Sequence, residues 1–262
     1  MAVHFHAQVT MLHAVELPPT WYGDIALDAY AAAVNTDDLM QDCRKTLDAY
    51  LRAPDALCRA RRVVIEGDPA EVITNYAREQ KTDLIMMPTH GYGPFRRFLI
   101  GSVAAKVLHD VECPVWTDVH HELTCAPQRD GTVLYAMDPH EENLAPLRWA
   151  ADYAASMGAP LTLLHVIPPA VSGPHPPEEG VFQRFLIDSA SARIDDLKRR
   201  AGVNASVRIE IGSISSVVRE VARLESAGLI VIGQGCIHET FGGLRTHAYG
   251  IIREAPCPVV RV

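Results

Sequence analysis

The chain lacks any Cys-x-x-Cys pair, and its six cysteines (Cys43, Cys58, Cys113, Cys125, Cys236 and Cys257) fall at no framework spacing. That argues against a zinc or dithiol pattern and for a reducing interior. An excess of positive charge is also missing. Lys and Arg number 24 against 32 Asp and Glu, a net charge of −8, which excludes the usual nucleic-acid-binding surface. The local basic groups at Arg59 to Arg62, Arg96-Arg97 and Lys198 to Arg200 read as solvated helix faces. No apolar run reaches membrane-spanning length, and the start has neither the basic residues nor the apolar stretch of a signal peptide. No Gly-Lys-Ser/Thr phosphate loop occurs, and no nucleophile stands near an evident base. The expectation is a soluble cytoplasmic protein, not an enzyme, with no nucleic-acid and no membrane partner.

What is present is a repeat. Leu12-His13-Ala14-Val15-Glu16-Leu17-Pro18-Pro19 returns as Leu164-His165-Val166-Ile167-Pro168-Pro169. Glu112-Cys113-Pro114-Val115 returns as Pro256-Cys257-Pro258-Val259, and Asp83 to Met87 matches Gly228 to Ile232. The order is the same in both halves, so the chain is a tandem duplication of one α/β domain. The expected division is a first repeat at 1–119, a linker at 120–130 and a second repeat at 131–262.

The second repeat reads strand, helix, strand and so on from Thr132 to Val262. Strands are expected at Thr132 to Met137, Leu161 to Ile167, Ala205 to Ile211, Leu229 to Ile232 and Pro258 to Val262. Apolar residues at helical spacing run from Leu144 to Ala155, from Phe182 to Leu197 and from Val217 to Leu224, with a last helix at 246 to 254. Gly158 stops the first of these, and residues 170 to 180 read as a loop. Strands that alternate with helices pair in parallel through right-handed crossovers. The first repeat follows this plan from its second strand, Val9 to Val15. A helix is expected at 36 to 53, a strand at Arg62 to Ile65, and a capped helix start at Asp68-Pro69-Ala70-Glu71. Asp83 to Met87, 101 to 111 and Pro114 to Asp118 complete it. The interval from Asp138 to His165, applied back from His13, puts the counterpart of Asp138 ahead of Met1. The first repeat is thus expected to lack its first strand and helix, either through a late start or because another chain supplies the strand.

Among residues that carry chemistry, Thr89-His90-Gly91 is followed after nine residues by Gly101-Ser102. Free amides of Gly101 and Ser102 at a helix N-terminus would suit an anion, although glycine then serine is also an ordinary helix cap. His4 with His6, His120-His121, and His238 with His247 show no paired ligand spacing, so no metal site is expected. Cys113 and Cys257 read as small buried apolar residues. His13 and His165 occupy equivalent strand positions and read as packing or hydrogen-bonding groups. Thr240 to Leu244 reads as a flap over the second pocket.

The tandem halves, the Asp after a first strand, the Leu-His-Val strand ending in Pro-Pro, the Gly-rich loop and the Cys-Pro-Val strand resemble the universal stress proteins. The resemblance implies two tandem Rossmann-like α/β domains. Each has a parallel five-stranded sheet ordered 3-2-1-4-5 and flanked by helices, with the halves paired about a pseudo-twofold axis through their last strands. It also implies ATP or a related adenine nucleotide as the ligand, held by Gly-x-x-Gly, nine residues, Gly-Ser/Thr, and by an Asp that meets the adenosine. Carried onto this chain, the pattern falls on Gly91, Gly101, Ser102 and Val103 in the first repeat, with Pro88 in place of the first glycine. In the second it falls on Asp138, Gly233, Gly235 and Thr246. There Gly233-Gln234-Gly235 is one residue short, and Arg245-Thr246 stands where Gly-Ser is expected. The implied role is a stress-response module that binds or senses nucleotide, as a homo-oligomer (dimer) or as an intramolecular pseudo-dimer. A nucleotide-free dimerising scaffold with vestigial pockets is the alternative.

Overall fold

The computed structural model describes residues 1–16, 36–49, 60–89, 100–118, 131–140, 143–169, 179–233 and 245–262. The linker, most of the loop expected at 170 to 180 and the expected flap lie outside these. Two compact units emerge, Met1–Lys81 and Thr82–Val262.

In the first unit, strands β1 (Thr10–Val15) and β2 (Arg61–Glu66) pair in parallel, from Thr10 opposite Arg61 to Val15 opposite Glu66. Helix α1 (Thr36–Ala49) is tied to β2 by Arg62, whose Nε donates to the Leu47 carbonyl at 3.2 Å. Helix α2 (Pro69–Glu79) starts as its sequence dictates. The Asp68 carboxylate accepts from the Glu71 amide at 2.9 Å, and Pro69 takes a first-turn position that needs no donor. Ala70, Thr74 and Ala77 are its buried side.

The second unit holds β3 (Ile85–Pro88), α3 (Ser102–Asp110), β4 (Val115–Asp118), β5 (Thr132–Ala136), α4 (Ala145–Met157) and β6 (Leu161–Ile167). It continues with α5 (Glu179–Ala201), β7 (Ser206–Ile211), α6 (Ile214–Leu224), β8 (Ala227–Ile232), α7 (Arg245–Glu254) and β9 (Val259–Arg261). One sheet runs β3-β4-β9-β8-β5-β6-β7. Counted within the second repeat, β7-β6-β5-β8-β9 is the order 3-2-1-4-5. Every pairing is parallel except that of β4 with β9. Leu134, Leu163, Ile230, Val231 and Ile232 are almost completely buried, as befits strands covered by helices on both faces.

The antiparallel β4–β9 pair joins the last strands of the two repeats, with Trp116 opposite Val260 at its centre. Thr117 Oγ1 donates to the Val259 carbonyl at 3.1 Å. Trp116 meets Tyr153 of α4 edge-on at 6.0 Å, and the Tyr249 hydroxyl of α7 donates to the Ala105 carbonyl of α3 at 3.3 Å. Arg261 is wholly buried, and its Nη2 donates to the Val111 carbonyl. Its Nε and Nη1 have no hydrogen-bond partner among the described residues.

The duplication is visible in the backbone. Gly67 after β2 and Gly212 after β7 have φ of 143° and 155°, and their amides donate to Val15 and Ile167, the last residues of β1 and β6. Lys81 and Ser226 both take φ of 51° at the turns that follow α2 and α6. Gly158 closes α4 at φ 65°, as its position after the apolar pattern predicts.

The repeats differ at one place. In the second, β5 lies between β6 and β8. Their counterparts β1 and β3 belong to separate sheets, and among the described residues of the first repeat no strand corresponds to β5. The exposure follows. Met86 of β3 is 57% exposed, whereas its equivalent Val231 is fully covered. Likewise β1 is largely half-exposed where β6 is buried almost throughout. The expected strand from Asp83 begins instead at Ile85, where Val115 of β4 first offers a partner, and runs on to Pro88.

Candidate functional site

Strands β5 and β8 are neighbours, and Ala136 lies opposite Ile232 at their carboxyl ends. Chain winding reverses between these strands, since the connections from β5 lead to β6 and β7 and the next crossover returns to β8. In open α/β sheets a crevice forms at such a reversal, outside the carboxyl ends. Asp138 follows β5 and is exposed there, and Gly233 follows β8 and is buried. Two of the expected site residues are thus brought to one place.

The carboxylate of Asp138 is held by its own turn. The His140 amide donates to Asp138 Oδ1 at 2.9 Å, which fixes the group and leaves Oδ2 to accept from a ligand. His165 of β6 reaches the Met137 carbonyl from Nδ1 at 3.2 Å. A carbonyl only accepts, so Nδ1 carries the proton. Burial pushes the His165 pKa below its usual value, against the opposing pull of the Met137 hydrogen bond and the Asp138 carboxylate, while His140 adds to the lowering. His165 is thus tied from β6 to the backbone at the carboxyl end of β5. Its equivalent His13 is exposed, and the described residues of the first repeat contain no counterpart of β5 to offer such a carbonyl.

From α5, Arg193 Nη1 lies 2.8 Å from His140 Nδ1. This contact joins residues far apart in sequence, and no spacing rule announces it. It was missed in the sequence reading, as was the turn bond of His140 to Asp138.

The first-repeat cradle is partly engaged. Thr89 is fully buried after β3, and its carbonyl accepts from the Gly101 amide at 2.8 Å. The Gly101 N–H is therefore not free, contrary to the sequence expectation, because the end of β3 folds back against the start of α3. Gly101 is the N-cap with extended backbone, and no side chain caps the helix. Ser102 and Val103 follow in the first turn of α3. Pro88, at the place of the first glycine, ends β3. Gly91 and Gly235 lie outside the described residues, and Arg245 and Thr246 open α7. The sets at Gly101 to Val103 and at Asp138 with Gly233 stand at the ends of different strands of the sheet, β3 and the pair β5 and β8.

Elsewhere the chemistry is muted. Cys257 is buried, and burial followed by the Asp118 carboxylate pushes its pKa up to about 12. Cys113 is half-buried and also raised by burial, with Arg261 opposing. Among the described residues no three His, Cys, Asp or Glu side chains gather as a metal site, and no helix is long and apolar enough to cross a membrane. A depression of about 540 Å³ lies at the other end of the sheet, at the start of β6, lined by Arg148, Asp152, Pro160 and Asn204 among others. It contains none of the expected site residues.

The fold is that of a doubly wound α/β protein duplicated in tandem, whose second repeat reverses its winding between β5 and β8. The sequence pattern of the Universal stress protein family matches residues 1–118 and again residues 131–262. The chain belongs to that family. A universal stress protein of Methanocaldococcus jannaschii is 44% identical over 52 residues, which cover 20% of this chain and 31% of that relative. The chain thus matches about a third of that relative's length. The crystal structure of a universal stress protein from Archaeoglobus fulgidus DSM 4304 covers 97% of this chain and 85% of its own, at 20% identity and a TM-score of 0.58. Another Archaeoglobus fulgidus universal stress protein, solved in complex with dAMP, covers 50% of this chain and 96% of its own, at 22% identity and a TM-score of 0.35.

Proposed function

We propose that the second repeat holds an adenine nucleotide in the crevice between the ends of β5 and β8, and that occupancy biases the interactions of a cytoplasmic, non-catalytic stress-response module. One observation carries the reading: a carboxylate oriented by its own turn, Asp138, follows β5 while the buried Gly233 follows the neighbouring β8, where the sheet reverses its winding. Asp138 Oδ2 suits the N–H or O–H donors of a nucleoside. Gly233 brings backbone close to the ligand without a side chain. The non-catalytic reading is supported by the described residues around Asp138, where His165 donates to the Met137 carbonyl and His140 meets Arg193, and among them neither imidazole is paired with a nucleophile. ATP is a candidate beside shorter adenine nucleotides, and among the described residues no group of His, Cys, Asp and Glu gathers to hold a metal.

Calorimetric titration of the full chain with ATP and AMP tests this. Saturable binding is expected, weakened about tenfold or more in Asp138→Ala, as for loss of a charge-assisted hydrogen bond of about 1.5–3 kcal/mol. Flat titrations of the wild-type chain would sink the proposal.

The nucleotide-free scaffold is favoured by a different observation, the antiparallel β4–β9 junction, through which the two repeats share one sheet. On that reading the repeats form an intramolecular pseudo-dimer, or a homodimer builds on it, and the engaged Gly101 amide marks a closed first pocket. Substitutions on β4 or β9 would then alter assembly while nucleotide has no effect.

A further inference from the structure

We infer that Arg193 and His140 form an anion subsite at the mouth of the Asp138 crevice, which takes the phosphate monoester of an adenine nucleotide in place of the glycine–serine cradle. This rests on the nucleotide reading above and narrows it to the phosphorylated ligand.

The argument starts from donors. A guanidinium only donates, so at 2.8 Å it is His140 Nδ1 that accepts from Arg193 Nη1. The neutral imidazole then carries its proton on Nε2. The pair therefore presents N–H groups from both partners, the remaining donors of Arg193 and the Nε2–H of His140. Both side chains are exposed, and no carboxylate among the described residues forms an ion pair with Arg193. An exposed guanidinium held against a neutral acceptor in water gains little. A bridging oxyanion converts that contact into charge-assisted, two-pronged recognition, the geometry for which arginine is suited.

Position ties the pair to the crevice. His140 is linked through its amide to the Asp138 carboxylate, and His165 feels both Asp138 and His140 electrostatically. The acceptor for nucleoside donors and the His140 donor thus lie on one turn, Asp138-Pro139-His140, to which α5 brings Arg193. Sequence reasons for a substitute cradle are also present. The loop at Gly233 is one residue short, and Arg245-Thr246 replaces Gly-Ser at the start of α7.

The test titrates the full chain with AMP, adenosine and inorganic phosphate, in wild type and in Arg193→Gln, with circular dichroism to verify the fold. Wild type is expected to bind AMP at least tenfold more tightly than adenosine, about 1.4 kcal/mol. That preference should shrink with added salt, as exposed charges are screened. Arg193→Gln should bring AMP to within about twofold of adenosine and leave adenosine unchanged, and Arg193→Lys should restore part of the preference. Equal binding of AMP and adenosine by wild type overturns the subsite and spares the nucleotide reading. So does an Arg193→Gln chain that keeps the preference or loses adenosine equally. A wild-type chain that binds neither nucleoside nor nucleotide overturns both, even if it takes inorganic phosphate.

Discussion

Gly212→Ala examines the turn that follows β7 and leads into α6. Gly212 sits at φ 155°, and a Cβ placed there would lie 2.8 Å from Val217 Cγ2. Two costs combine. A non-glycine residue at such a φ costs about 1–3 kcal/mol, and the overlap adds about 1–3 kcal/mol of overpacking. At about 2–4 °C per kcal/mol for a unit of this size, the combined cost of about 2–6 kcal/mol should lower the melting temperature by roughly 4–24 °C. Thermal unfolding of Gly212→Ala, Val217→Ala and the double variant separates the two costs. Val217→Ala alone should cost about 1 kcal/mol of lost packing. In the double variant the overlap disappears and the φ cost stays, so the two changes should couple favourably by about 1 kcal/mol or more. The equivalent Gly67→Ala, with Val72 Cγ2 at 3.0 Å, should show the same sign with a smaller coupling. An unchanged melting temperature in Gly212→Ala, or strict additivity in the cycle, refutes the reasoning.

Two further predictions concern protons. Cys257 has a folded pKa raised from 9.0 to about 12, so the folded state holds its proton more firmly than the unfolded chain. Its contribution is complete below pH 9 and is lost as the pH rises toward 12. Denaturation midpoints should therefore decline over that window less steeply in Cys257→Ala, and iodoacetamide at pH 8 should label Cys43 before Cys257; equal labelling rates would contradict this. His165 has its pKa lowered from 6.5 by burial, so the unfolded chain takes up its proton first. Stability present above pH 6.5 should fall as the pH drops through the folded value, and His165→Gln should flatten that acid limb, read from urea midpoints. A steeper limb in the variant would reverse the assignment.

Most of the fold could be read from period and punctuation. Leu161–Ile167 is the strand its unbroken apolar run announces, Asp68-Pro69 opens a helix, and Gly158 closes one. The start of β3 could not be read. Asp83-Leu84 looks like its counterpart Gly228-Leu229, yet β8 extends from Ala227 because β5 pairs with it, whereas β3 pairs only with β4 and forms only where that partner reaches. The site divides the same way. Asp138 and Gly233 come from the family pattern carried onto the second repeat. The engagement of Gly101 by Thr89 depends on how the end of β3 meets α3, and Arg193 reaches His140 across 53 residues. Both are tertiary facts that no local pattern encodes.

The central claim is that the Asp138 crevice holds an adenine nucleotide. The most direct test is to denature freshly purified full chain, chromatograph the supernatant and quantify released adenine nucleotide per chain. The account predicts a near-stoichiometric peak that is lost in Asp138→Ala. An empty supernatant from the wild-type chain, with no uptake when ATP or AMP is added back, would contradict it.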